Sequence, residues 1–345
     1  MSRLRALGLD EARRDEIDGF LASEQAEGEG GERTVGRVGR VDRGEVVVLC
    51  EHDDLRALSD SQRAQSAVAP VTGDWVVVRD DEEVGLIVDH VFDRRTTITR
   101  RDPAEQITDQ VLVANIDRVA VVHGLDQPVN DARIERFLVL AIDSGADPLI
   151  VLNKTDLVTR SIDDQWLTSI APVVHTSTAT GDGLAELKAR ILPGETTVFL
   201  GPSGVGKSSL VNALADTEVA PTTEVREGDR RGRHTTTVRE LIELPGGRIV
   251  IDTPGIRAIG LWAADIALDE VFADIAERAT NCRFRDCTHR TEPGCSVRDA
   301  VEQGTIDETR LARYQLLWQE LAEQAIELER RKYQPRPQRR NRRRR

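Results

Sequence analysis

GPSGVGKSS, residues 201–209, fits the pattern G-x-x-x-x-G-K-[ST] and lies between a β-like run and a helical one. Thr196–Leu200 is short, β-branched and apolar, as a buried strand should be, and residues 208–216 carry Leu210, Val211 and Leu214 on one helical face. A glycine-rich turn joining a strand to a helix is the context in which this pattern cradles phosphate. Gly201, Gly204 and Gly206 allow successive N–H groups to converge on one anion, and the helix start adds the positive end of its dipole. Pro202, Ser203, Val205 and Ser209 complete the expected cradle. Lys207 is placed to reach the β- and γ-phosphates, and Ser208 to ligate magnesium.

Other segments supply the base. NKTD, residues 153–156, follows the strand-like residues 148–152. A carboxylate at Asp156 can accept from both N1–H and N2–H of guanine, whereas adenine has an acceptor at N1 and no 2-amino group. Asn153 would read the N7 and O6 side, the Lys154 stem would lie along the base plane, and Thr155 completes the tetrapeptide. TSTATGDGL, residues 176–184, follows the next strand; Ser177 and Thr178 stand where guanine-binding proteins carry Ser-Ala, with contact expected through backbone N–H groups. DTPG at 252–255 closes a further strand, placing Asp252 at the magnesium shell and the Gly255 N–H near the γ-phosphate.

Between the phosphate loop and DTPG lies GDRRGRHTTT, residues 228–237, where one of Thr235, Thr236 and Thr237 could complete the magnesium coordination. Ile256 occupies the position of the usual water-orienting glutamine and cannot hydrogen-bond a nucleophile. Slow intrinsic hydrolysis is expected, completed by His234, by one of Arg230, Arg231 and Arg233, or by a macromolecular activator. A purely structural His234 is the alternative. The predicted catalytic set is therefore His234, Asp252 and Gly255. Because the base-reading elements precede the phosphate loop, the nucleotide domain is circularly permuted.

Around this centre the chain divides by rhythm. Residues 1–33 hold an amphipathic stretch and an acidic linker, EGEGGE. Residues 34–100 read as short strands (TVGRVGRV, GEVVVLC, GDWVVVRD, GLIVDHV and RRTTIT), suiting an OB-fold β-barrel. Arg94, Arg95, Arg100 and Arg101 at its exit could meet phosphates or simply protect a strand edge. Cys50 reads as a core thiol. A connector at 101–116 leads into strand and helix alternation over 117–260, the signature of a parallel sheet covered on both faces. Residues 261–330 follow as a small helical domain, and 331–345 as an Arg-rich, disordered tail.

The 345 residues suggest two or three domains. The net charge is −13, and since residues 330–345 contribute +10, the remainder carries −23. An acidic body resists indiscriminate polyanion binding, and a basic tail invites it. Apolar runs are strand-sized and the N-terminus lacks a signal core, so a cytoplasmic protein with no membrane segment is expected. Cys282, Cys287, His289 and Cys295 supply three thiolates and one imidazole, a donor set for one closed, structural zinc ion. Thr305 and Glu308 form a plausible capping box for a helix to about Lys332, with Leu311, Tyr314, Trp318, Leu321, Ala325 and Leu328 as its packing stripe.

A β-barrel, NKTD ahead of GPSGVGKSS, GRHTTT, DTPGIR and a C-x4-C-x-H-x5-C cluster occur in that order. The chain thereby resembles the RsgA family of circularly permuted, ribosome small-subunit-dependent GTPases, from about Thr34 to Glu329. The resemblance implies a multidomain α/β protein with an N-terminal OB-fold, a permuted P-loop GTPase domain and a C-terminal zinc-binding helical domain. It implies GTP hydrolysis stimulated by the 30S ribosomal subunit during its late maturation, followed by release; Mg2+ with the nucleotide, contact with 16S rRNA and a monomer are expected beside it. From the residues alone, a GTP-binding module without turnover and a metabolic GTP-dependent kinase or transferase remain rivals, although no acceptor-substrate site is evident.

Overall fold

Alternation of β-branched residues with glycine- and aspartate-containing turns gives short strands, and a computed structural model shows how they assemble. It describes residues 2–26, 32–59, 64–65, 68–100, 110–158, 164–219, 239–252 and 264–332. These form two compact units, one running through residue 252 and one over 264–332.

In the first unit, β1 (Arg33–Val41), β2 (Glu45–Cys50), β3 (Leu55–Leu58), β4 (Trp75–Asp81) and β5 (Gly85–Val91) close a ring. β1 pairs with β2 and β4, β2 with β3, β3 in parallel with β5, and β5 with β4. This is the five-stranded closure of an OB-fold. Val38, Val46, Val48, Ala57, Val76, Val78 and Val88 fill the interior beside Cys50. One strand differs from expectation. RRTTIT contributes β6 (Thr97–Arg100), which pairs outside the ring with β7 (Gln110–Ala114). The missing barrel strand is β3, four residues of LRAL whose alternation is too brief to stand out in a polar interval.

The second part of this unit is a sheet of β8 (Arg118–Gly124), β9 (Asp147–Asn153), β10 (Val173–Thr176), β11 (Thr196–Leu200), β12 (Glu240–Leu244) and β13 (Arg248–Asp252). Its order is β10-β9-β8-β11-β13-β12, and only β12 runs antiparallel. Of its helices, α3 (Asp131–Asp143) packs against β8 and β9. α5 (Leu184–Arg190) and α6 (Lys207–Ala215) bury Leu187, Leu210, Val211 and Leu214 with Val122, Val151, Phe199 and Val250 on one face. Val119, Val121, Ile150 and Leu152 alternate with these and are equally buried, as a doubly covered parallel sheet requires. α4 (Gln165–Thr168) is a single turn before β10. β12 also pairs with β1 through Arg40 and Glu240, so barrel and sheet form one continuous surface of strands.

The N-terminal helices α1 (Arg3–Ala6) and α2 (Glu11–Ala26) join this unit. Arg3 hydrogen-bonds the Cys50 carbonyl, Asp54 and Glu243. Phe20 stacks on His90 at 4.2 Å and meets Phe92 edge-on at 5.6 Å.

In the second unit, α7 (Asp265–Val271), α8 (Ala273–Ala279), α9 (Ser296–Glu302) and α10 (Glu308–Lys332) enclose Leu268, Phe272, Ile275, Val297 and Leu311. Two expectations for α10 change. Asp307, not Thr305, caps the helix: its Oδ1 accepts from the N–H groups of Thr309 and Arg310, while the Thr305 hydroxyl bonds the Ala300 carbonyl. Leu317 is buried and Trp318 is 41% exposed, so the stripe turns by one residue to follow the core of this small unit.

Candidate nucleotide site and metal centre

Ligands of open parallel sheets bind beyond the carboxyl ends of the strands. Here three such ends carry the predicted motifs: NKTD follows β9, TSTATGDGL runs on from the end of β10, and the glycine-rich loop follows β11. β8 lies between β9 and β11, so the two loops are neighbours although 48 residues separate Asn153 from Gly201.

The loop and NKTD are bonded to each other. Asn153 is fully buried; its Nδ2 donates to the Val205 carbonyl at 2.9 Å and its Oδ1 accepts from the Thr176 hydroxyl at 3.0 Å. These two bonds fix which way the amide faces. Gly206 approaches so closely that a Cβ there would lie 2.4 Å from Asn153 Nδ2, and its φ of +97° favours glycine independently. Lys154 has a left-handed backbone, φ 65°, and its Nζ donates to the Gly204 carbonyl at 2.7 Å and to Asp126 at 2.8 Å. Asp156 lies in the 3-10 turn Thr155–Leu157 and is exposed; its Oδ1 accepts from the Ser177 hydroxyl at 2.5 Å. The same Ser177 oxygen accepts from the N–H groups of Ala179 and Thr180, which curls the loop that holds half-buried Thr178.

α6 begins at Lys207, and its N-cap Gly206 offers no side chain to the first-turn N–H groups. Those donors are the natural seat of an anion. Lys207 Nζ donates to the carbonyls of Gly201 and Pro202 at 2.8 and 2.9 Å, so the ammonium sits on the loop itself. Ser208 and Ser209 occupy the first turn of α6, and Ser203 is exposed on the loop. Asp252 ends β13 next to β11, where Val198 is in register with Ile251. His234, Gly255, Ile256, the threonines at 235–237 and the arginines at 230, 231 and 233 lie outside the described residues, as do residues 27–31 and 333–345.

Thr176 and Asp126 belong to this constellation and were not singled out from sequence. Thr176 is visible only as the residue before Ser177, and Asp126 sits in no motif; strand order alone brings it in. A polar cavity of about 270 Å3 lined by Asp10, Arg13, Arg37, Asp117 and Glu195 lies elsewhere, at the amino ends of β8 and β11. Its charges face one another across the wrong ends of the strands for a ligand of this fold.

In the second unit, Cys282, Cys287, His289 and Cys295 place one ligand atom each within 4.8 Å of one another. Cys282 Sγ is 3.9 Å from Cys295 Sγ and 3.7 Å from His289 Nδ1, and His289 Nδ1 is 3.3 Å from Cys295 Sγ. A tetrahedron with Zn–S of 2.3 Å has sulfur–sulfur edges of ~3.8 Å, so these residues fit zinc. Nδ1 is the imidazole atom that faces the thiols. The Gly294 turn brings Cys295 back, its carbonyl accepting from the Arg283 N–H at 3.1 Å. Burial pushes the Cys287 thiol up to about 12, and its sulfur neighbours add to this. A bound cation reverses that preference, so metal uptake releases protons. Gln315 Nε2 on α10 bonds the His289 carbonyl at 2.7 Å and ties the cluster to the helix.

Among the described residues no helix is long and apolar enough to cross a membrane. Residues 91–262 match the RsgA GTPase family. The chain is 44% identical over 294 residues to the small ribosomal subunit biogenesis GTPase RsgA of Opitutus terrae, covering 81% of this chain and 79% of that one. It is 42% identical over 293 residues to the protein of that name from Streptomyces coelicolor, covering 83% and 80%. Among solved structures it resembles YjeQ from Thermotoga maritima, with a TM-score of 0.58 and 29% identity over 84% of this chain and 98% of that one. It also resembles YloQ, described as a circularly permuted GTPase, with a TM-score of 0.57 and 28% identity over 89% and 98%. NKTD that precedes the glycine-rich loop in the chain yet bonds to it in space, with relatives this similar over most of its length, makes this protein a member of the RsgA family of circularly permuted GTPases.

Proposed function

We propose that this protein hydrolyses GTP in the biogenesis of the small ribosomal subunit, that the 30S subunit stimulates the hydrolysis, and that hydrolysis releases the protein. The observation that carries this reading is the direct bonding of Asn153 and Lys154 to the loop carbonyls of Val205 and Gly204. An amide has two N–H donors, so one can serve Val205 and the other guanine N7. The Asp156 carboxylate, steadied by Ser177, has lone pairs left for N1–H and N2–H. Asn153, Lys154, Thr155, Asp156, Ser177 and Thr178 then hold the base, and residues 201–209 the phosphates.

Lys207 would exchange the Gly201 and Pro202 carbonyls for phosphate oxygens. Ser208 would hold Mg2+ directly and Asp252 through water. Gly255 and His234 are assigned to the γ-phosphate and the attacking water. Because Ile256 cannot orient that water, turnover should depend on the subunit. One zinc ion on Cys282, Cys287, His289 and Cys295 would stiffen residues 261–330, leaving the barrel at 34–100, the nucleotide domain at 117–260 and the tail at 331–345 as the other parts. A cytoplasmic monomer touching 16S rRNA completes the reading.

Measuring GTP turnover with and without purified 30S subunits, at two salt concentrations, tests it. Strong, salt-sensitive stimulation is expected. Turnover unmoved by subunits would favour a GTP-binding module without productive hydrolysis, and ATP binding as tight as GTP in calorimetry would remove the guanine assignment.

A further inference from the structure

β8 carries neither nucleotide motif, yet it stands between the two strands that do, and its terminal turn is wedged between their loops. The Leu125 N–H donates to the Asn153 carbonyl at 2.8 Å. A Cβ on Gly124 would lie 2.6 Å from Asp126 Oδ1, 3.5 Å from Val205 Cα and 3.6 Å from Lys154 Cδ, so the turn touches both loops at once. From it Asp126 Oδ2 reaches Lys154 Nζ at 2.8 Å, on an ammonium whose second acceptor is the Gly204 carbonyl at 2.7 Å. Lys154 also keeps an αL backbone, φ 65° and ψ 39°, which a non-glycine residue holds only where its surroundings over-determine it.

We propose that Asp126 is a positioning residue for guanine, holding the Lys154 ammonium against the phosphate loop so that the lysine stem is laid out in advance as the platform for the base. The inference rests on the reading of NKTD as the guanine site. A lysine side chain has four rotatable methylenes and a large rotamer entropy. Anchored at the backbone by its αL turn and at the head by two acceptors from different loops, the stem has one course, and ordering it is not charged against binding. Without Asp126, the Gly204 carbonyl is the acceptor left to the head among the described residues. Both side chains are partly exposed, 26% for Lys154 and 36% for Asp126, so the direct ion-pair energy is small and most of the effect is preorganisation. The contact lies on the base side of the site, and it should serve GDP and GTP alike.

The test is equilibrium binding of fluorescent GDP and GTP to the full chain and its Asp126→Ala, Asp126→Asn, Lys154→Ala and doubly substituted D126A/K154A forms, with steady-state turnover. Asp126→Ala should weaken both nucleotides by about fivefold and by the same factor, with kcat at saturating GTP unchanged. Asp126→Asn, which keeps an acceptor, should recover more than half of the loss. In the K154A background, D126A should add nothing. An unchanged Kd in D126A, a loss confined to GTP, or a loss that persists without Lys154 would each overturn the assignment. Failure of the underlying guanine reading is separable, since the unsubstituted protein would then bind ATP as tightly as GTP.

Discussion

Arg37 on β1 donates from Nη1 to the Thr196 hydroxyl on β11 at 2.8 Å, joining the barrel to the strand that runs into the phosphate loop. The same guanidinium bonds the carbonyls of Leu7 at 2.6 Å, Gly73 at 3.1 Å and Asn115 at 2.6 Å, and the side chain is buried. Burial lowers its pKa to about 10, with the nearby charges of Asp117 and Asp74 opposing the shift. Arg37→Ala would leave two buried carbonyls and one half-buried one without this donor and should cost about 3 kcal/mol or more, read as a fall in the urea midpoint. Arg37→Lys should not rescue it, because an ammonium cannot reproduce a fork of divergent donors. A midpoint within about 0.5 kcal/mol of the unsubstituted protein would show that the hub is not holding barrel and sheet together.

Asp156→Asn replaces one acceptor of the carboxylate proposed to read the base with an N–H2 donor. Guanine then meets a donor facing its 2-amino group, whereas xanthine offers a carbonyl there. GTP affinity should fall roughly 100-fold while XTP gains. Competition binding with the two triphosphates reads both changes.

Gly206→Ala forces a side chain into a φ of +97° and against Asn153 Nδ2. The strain is about 1–3 kcal/mol, and its relief must move Asn153 or the loop. GTP and GDP affinity should drop by roughly tenfold or more with the far-UV spectrum retained. Unchanged nucleotide binding would mean that the loop and NKTD need not touch.

Thiol chemistry separates the four cysteines. With zinc bound, Cys282, Cys287 and Cys295 should resist a disulfide reagent; stripping the metal with a chelator should loosen the small helical unit around them and let all three react. Cys50 is buried at 3% exposure, and burial pushes its thiol up to about 11, so it should react only on unfolding. The shift has a sign for stability. An unfolded thiol ionises at a lower pH than the folded one, so this contribution is complete below pH about 9 and is lost as pH rises toward 11. Cys50→Ala should remove that alkaline slope.

His90 works in the opposite direction. Burial against Phe20 and Phe92 lowers its pKa below 6.5, with Asp89 and Asp93 opposing. The unfolded imidazole takes up a proton that the folded one resists, so stability is lost as pH falls through about 6.5. Comparing urea midpoints at pH 7.5 and 5.5, His90→Phe should keep the stack with Phe20 and show a smaller acid loss than the parent chain.

Much of the candidate site was legible because the chemistry proposed for it is local. A phosphate loop needs its glycines, lysine and serine at fixed spacing, and NKTD and the Cys3His donors are equally short-range patterns. Where reading failed, the cause was tertiary. LRAL becomes a barrel strand because β2 and β5 leave a place for it, and Thr305 loses the cap of α10 to Asp307 because its hydroxyl turns back to Ala300.

From its residues alone, this chain declares a permuted order of motifs, NKTD ahead of the glycine-rich loop, and the strand and helix alternation of a parallel sheet to carry them. Order along the chain cannot say which loops touch. Seating β8 between β9 and β11 is a matter of strand pairing, and only that pairing brings Asp126 to Lys154, Asn153 to Val205, and the buried Arg37 to the root of the phosphate loop. Hydrogen bonds between residues tens of positions apart leave no periodicity or spacing to read. They exist because the folded sheet buries those donors and acceptors together, where each must find a partner.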